Sequence, residues 1–169
     1  MTLPRIGHFL LVGSLLLTLA CSSAKEQASV SVPLTSYAFS ERDSLMAVES
    51  RPTVIFLHAE WCKFCKNMEQ TTLKNEHVIQ LLNEEFYFVS FDGEQRESIA
   101  FNGHNFAFRP NGRSSGTHEL AAALGNIDGT LTYPTLVILN PGNEIVFQFG
   151  SFLSARQMRS VLKKAVPTQ

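Results

Sequence analysis

Two cysteines separated by two residues, Cys62 and Cys65, stand at the junction between an apolar run and a helical pattern. No other stretch restricts the fold of this chain so tightly. The run Thr53-Val54-Ile55-Phe56-Leu57 reads as a buried strand, and the residues from Cys62 to about Leu73 read as a helix. The first thiol therefore falls at a helix N-terminus, where unpaired backbone N–H groups and the macrodipole favour a negatively charged sulfur. The second lies one turn further in and can close a small ring with it. Because a thiolate is the attacking species in disulfide exchange, this placement predicts a reversible redox pair. Two blander readings compete: half of a zinc site, and two buried structural cysteines. A structural zinc site needs four ligands, usually Cys or His. The third cysteine, Cys21, lies in a leader-like segment, and His58, His77, His104 and His118 are scattered without ligand spacing. No metal site and no cofactor are expected.

Residues 1–20 read as a signal peptide. Arg5 supplies the positive start and Phe9 to Ala20 the apolar stretch, which is short of the roughly twenty residues a membrane-spanning helix needs. Leu17-Thr18-Leu19-Ala20-Cys21 resembles a bacterial lipoprotein box with Cys21 as the lipidated residue, although Thr18 stands where a leucine is usual. Ordinary cleavage near Ala24 and an uncleaved anchor are the other outcomes. Each carries the domain across the inner membrane, so the expected compartment is the periplasm or cell envelope, where disulfides form and must be managed. Lipid on Cys21 would attach the chain to the membrane and leave Cys62 and Cys65 as its two free thiols. Residues 21–39 are expected to form a polar tether and residues 40–169 the domain. With 14 Lys and Arg against 15 Asp and Glu, the chain has no basic excess to bind nucleic acid.

Within the domain, Ser40 to Ser44 reads as a helix start ahead of Leu45, Met46 and Val48, and Arg51-Pro52 ends that helix. A break at Lys74-Asn75-Glu76 precedes a second helical pattern with Val78, Ile79, Leu81 and Leu82 on its apolar face, and Phe86 to Asp92 reads as the next strand. Strand, helix, strand in that order predicts a parallel crossover. Residues 98–108 read as a hairpin turning at Asn102-Gly103, residues 109–116 as a loop flanked by Arg109 and Arg113, and a helix is expected from about Thr117. Thr135–Leu139 and Glu144–Phe149 read as antiparallel strands, and Ser154 to about Ala165 as a last amphipathic helix.

Ala59-Glu60-Trp61-Cys62 followed by Cys65-Lys66, together with Tyr133-Pro134-Thr135 just before an apolar strand, resembles the thioredoxin superfamily over about residues 40–166. The resemblance implies an α/β fold, a mixed sheet flanked by helices, with an N-terminal helix and a β-hairpin insertion at about 94–116 before the cis-proline strand. It implies Cys62 as the exposed nucleophile, Cys65 as the resolving thiol, and a cis Pro134 that sets the backbone of Tyr133 beside them for an extended substrate. Trp61 would pack next to the pair. Lys63 and Lys66 add positive charge, Glu60 opposes it, and Lys63-Phe64 between the cysteines tunes the potential. Phe56 replaces the buried aspartate of compact thioredoxins, leaving His58 as a substitute proton carrier, and Gln70 replaces the usual helix proline. The activity implied is thiol–disulfide exchange on protein disulfides, in the reductase direction and fed by a membrane-borne thiol electron donor. A non-catalytic binding module and a metal- or haem-handling accessory protein are the alternatives.

Overall fold

The computed structural model describes residues 32–166. The signal-peptide and Cys21 expectations lie outside the described residues. In chain order the elements are α1 (Phe39–Met46), β1 (Thr53–His58), α2 (Lys63–Gln70), a 3₁₀ turn (Thr72–Lys74), α3 (Glu76–Glu85) and β2 (Tyr87–Asp92). Four short strands follow, β3 (Ile99–Phe101), β4 (His104–Phe106), β5 (Phe108–Pro110) and β6 (Gly116–His118), and then α4 (Glu119–Gly125). The chain continues through β7 (Asn126–Ile127), β8 (Thr130–Leu131), β9 (Thr135–Leu139), β10 (Ile145–Phe149) and α5 (Ala155–Ala165).

One four-stranded sheet, in the order β10-β9-β1-β2, carries the fold. β1 and β2 are parallel, as the crossover predicts, with Phe56 opposite Ser90 and His58 opposite Asp92. β9 runs antiparallel to both β1 and β10. Side chains alternate faces along a strand, and the two faces bury different clusters. Val54, Phe56, Phe88, Leu136 and Ile138 meet α2, α3 and α5 on the face that also holds both cysteines. Ile55, Leu57, Val89, Phe91, Val137 and Leu139 meet Phe39 of α1, Phe101 of β3, and Leu120 and Leu124 of α4 on the other. The central strands are buried on both sides, which is why they read as unbroken apolar runs.

The predicted hairpin is present as β3–β4, with φ of 50° at Asn102 and 76° at Gly103, the left-handed pair a tight two-residue turn requires. Phe101 is buried, so the insertion covers part of the sheet on the face away from the cysteines. The segment read as a loop is partly a ribbon, because Phe108–Pro110 pairs with Gly116–His118. Arg109, at the start of that segment, donates to Glu119 Oε1 at 2.6 Å, while Glu119 Oε2 accepts from Ala107 N–H at 2.8 Å. α4 starts at Glu119 rather than Thr117 because His118 caps it, its Nδ1 accepting from Leu120 N–H at 3.2 Å. β7–β8 is a further hairpin, turning at Asp128-Gly129, that sequence reading missed.

Three other expectations are corrected. α1 ends at Met46 and buries Phe39 and Arg42, whereas Val48 is 87% exposed. The helix after Cys62 stops at Gln70, where Thr71 Oγ1 turns back to Asn67 O at 2.7 Å and Thr72 Oγ1 reaches Leu153 O at 2.6 Å. Threonine hydroxyls compete with helical hydrogen bonding in this way. The end of the expected tether is docked: Asn83 accepts from Thr35 N–H at 3.0 Å and donates to Pro33 O at 2.9 Å, and Tyr37 N–H donates to Phe88 O on the edge of β2.

Candidate active site

The site lies beyond the carboxyl ends of β1 and β2, where Gly93 N–H donates to His58 O at 2.8 Å and closes the parallel pair. From β1 the chain turns through Ala59 into α2. Cys62 is the N-cap of that helix, with φ −74° and ψ 103°. Its Sγ accepts from Cys65 N–H at 3.0 Å, so one of the orphan amides of the first turn points at the sulfur. The two cysteines form a disulfide with their Cα atoms 5.2 Å apart. Negative charge growing on Cys62 Sγ as that bond breaks meets an aimed N–H donor and the positive end of α2. The first turn of α2 holds no acidic residue, and Lys63 and Lys66 are exposed on the helix.

Cys62 was expected to be exposed, and it is not: the residue is 3% exposed and Cys65 1%. Both belong to the apolar cluster with Phe56, Met68 and Leu136, into which the short ring turns the sulfurs. The surface around the pair is instead aromatic, since Trp61 is 64% and Phe64 65% exposed. Glu60 is exposed beside Trp61. His58 stacks on the buried Phe56 ring at 5.5 Å, and its partner in the β-ladder is Asp92. Among the described residues no three His, Cys, Asp or Glu side chains converge as metal ligands.

The Tyr133–Pro134 peptide bond is cis, as the resemblance implied, and Pro134 is buried at the head of β9. Tyr133 packs against the cluster that contains both cysteines and meets Trp61 edge to face, with centroids 5.9 Å apart. Its hydroxyl rests on Gly93, so close that a Cβ there would collide with it. That hydroxyl is buried and has no hydrogen-bond partner. Burial, with the nearby Glu94 and Asp92 carboxylates adding to it, pushes the phenol up to about 12.

Glu94 is the site residue that sequence reading missed. Its carboxylate accepts from Trp61 Nε1–H at 3.0 Å, and its own N–H donates to Asp92 Oδ1 at 3.0 Å. Nothing in the sequence links position 61 to position 94. The link exists because β1 and β2 end side by side.

Comparison with known proteins follows the same lines. A family model described as a thioredoxin-like domain matches residues 41–166. No curated protein matches the sequence significantly. Among solved structures, the chain is similar to one titled DsbH oxidoreductase, with a TM-score of 0.58 and 16% identity over 82% of this chain and 88% of that one. It is also similar to a thioredoxin from Thermus thermophilus, with a TM-score of 0.56 and 22% identity over 79% of this chain and 87% of that one. At these identities the likeness speaks for the fold.

Proposed function

Since the chain belongs to the thioredoxin-like family, matched over residues 41–166, we propose that it is a thiol–disulfide oxidoreductase of the bacterial envelope working in the reductase direction. The observation that carries this reading is the Cys62–Cys65 disulfide at the N-cap of α2, next to the cis-proline loop. In the reduced chain, the Cys62 thiolate attacks one sulfur of a substrate disulfide, forming a mixed disulfide and expelling the other substrate sulfur as a thiolate. Cys65, deprotonated, then attacks Cys62 Sγ. The second substrate thiolate leaves, and the Cys62–Cys65 disulfide is restored. Two electrons pass to the substrate, and the two protons its thiols gain balance those lost by the cysteines. The backbone of Tyr133 pairs with an extended substrate segment, and Trp61 and Phe64 offer it an apolar surface.

Each turnover leaves the pair oxidised, so a thiol donor must reduce it again. A membrane-borne donor fits a domain held to the membrane by a lipid on Cys21. The reading rests on the leader, the lipoprotein-like box and the chemistry of an oxidising compartment. Protein disulfides are the substrates; no cofactor is needed.

Two measurements test this. Cys62→Ser should abolish insulin reduction, and retained turnover would remove Cys62 as the nucleophile. Family potentials span roughly −270 to −120 mV. A Cys62–Cys65 potential near the lower figure supports a reductase, and one near the upper figure makes the chain a disulfide donor. The burial of both sulfurs favours one other reading, a binding module around a static disulfide. Resistance of that bond to dithiothreitol would establish it.

A further inference from the structure

We propose that Glu94 is a positioning residue for the redox pair, a latch that holds Trp61 closed beside Cys62 and releases it by changing hydrogen-bond partner from the Trp61 indole to the Tyr133 hydroxyl. The inference rests on Cys62 being the attacked and attacking sulfur.

Three observations combine. Cys62 is 3% exposed although exchange requires an in-line approach to its sulfur. The adjacent Trp61 is largely exposed, donates Nε1–H to Glu94 Oε1 at 3.0 Å and meets Tyr133 edge to face at 5.9 Å. Tyr133, which shares that contact, has a buried hydroxyl without a partner. A buried orphan donor is costly, so a nearby arrangement that satisfies it is favoured.

Two carboxylates lie near the phenol, Glu94 and Asp92, and Asp92 Oδ1 is already engaged by Glu94 N–H at 3.0 Å. The Tyr133 hydroxyl sits on the backbone of Gly93, and the next residue is Glu94. Its carboxylate is near enough to act on the phenol's ionisation. The Glu94 backbone is fixed by its N–H bond to Asp92 Oδ1, so the exchange needs only rotation of the Glu94 side chain. When the carboxylate turns to Tyr133, the indole N–H loses its partner. Trp61 is exposed enough for water to take over that bond. In the closed state the carboxylate serves the indole, and in the open state it serves the phenol while water serves the indole. Opening frees the flank of Cys62.

Trp61 is the single tryptophan of the chain, so its emission and anisotropy report the latch directly. The test measures the rate at which dithiothreitol reduces the Cys62–Cys65 disulfide, the state in which the latch is seen. Glu94→Ala should lower Trp61 anisotropy and speed reduction by about tenfold, the shift that loss of one hydrogen bond produces. Glu94→Gln keeps an acceptor and should retain the wild-type anisotropy and rate. Tyr133→Phe removes the competing donor and should slow reduction. An unchanged rate and anisotropy in Glu94→Ala would overturn the latch, as would acceleration in Tyr133→Phe. Because dithiothreitol needs no protein substrate, a chain whose variants behave as stated but which fails to reduce insulin would lose the proposed function and keep the latch.

Discussion

Gly93 has no side chain, and Tyr133 fills the space where one would be. Alanine at this position forces the phenol ring away from β2. Overpacking of this kind costs about 1–3 kcal/mol, and Gly93→Ala should show it as a lowered urea midpoint. The displaced ring also uncouples Trp61, so the variant's emission should shift to the red. Tyr133 carries a second prediction. Its phenol is raised from about 10 to about 12 chiefly by burial, so the folded chain keeps this proton longer than the unfolded chain does. The stability it contributes is complete below pH 10 and falls as pH climbs through that window. The Tyr87 hydroxyl is also raised, again mainly by burial. Denaturant melts of wild type and Tyr133→Phe at increasing alkaline pH isolate the Tyr133 part: the wild type should lose stability more steeply than the variant.

The elements are joined by polar contacts as well as by their apolar faces. Arg42 of α1, 2% exposed, donates to Thr53 Oγ1 at the start of β1, to Asp43 Oδ1, and to Asn143 Oδ1 in the β9–β10 turn. It also lies over the Phe101 ring of β3, at 5.6 Å. Asn143 in turn donates to Asn102 Oδ1, so the turn of the inserted hairpin is tied to the sheet at the end remote from the disulfide. Gly103 in that turn has φ of 76°, with open space where a Cβ would go. Alanine there meets backbone strain without a clash, about 1 kcal/mol for a left-handed L-residue. Gly103→Ala should lower the melting temperature slightly and leave insulin reduction unaltered.

For the whole molecule, the insertion and the redox pair share one sheet from opposite faces. Replacing residues 98–107 by a short Gly-Ser link should uncover Phe39 and Phe91, whose rings pack 5.3 Å apart under the hairpin. Strong binding of a hydrophobic dye by the shortened chain is the expected readout, and dye binding equal to the wild type would show that the hairpin covers nothing essential.

Sequence alone determined what local signals can carry. The runs Thr53–Leu57 and Thr135–Leu139 could be read as central strands because both faces of each are buried. Asn102-Gly103 announced its turn, and the spacing of Cys62 and Cys65 announced a helix N-terminus. Asp128-Gly129 carries the same turn signal. Tertiary structure alone decided the burial of Arg42 and of Cys62, and the pairing of β5 with β6. It also decided the meeting of Trp61 with Glu94 and Tyr133. Hydrophobic runs, turn residues and caps act over a few neighbouring positions. A partner 33 residues away becomes visible only when two parallel strands bring their ends together.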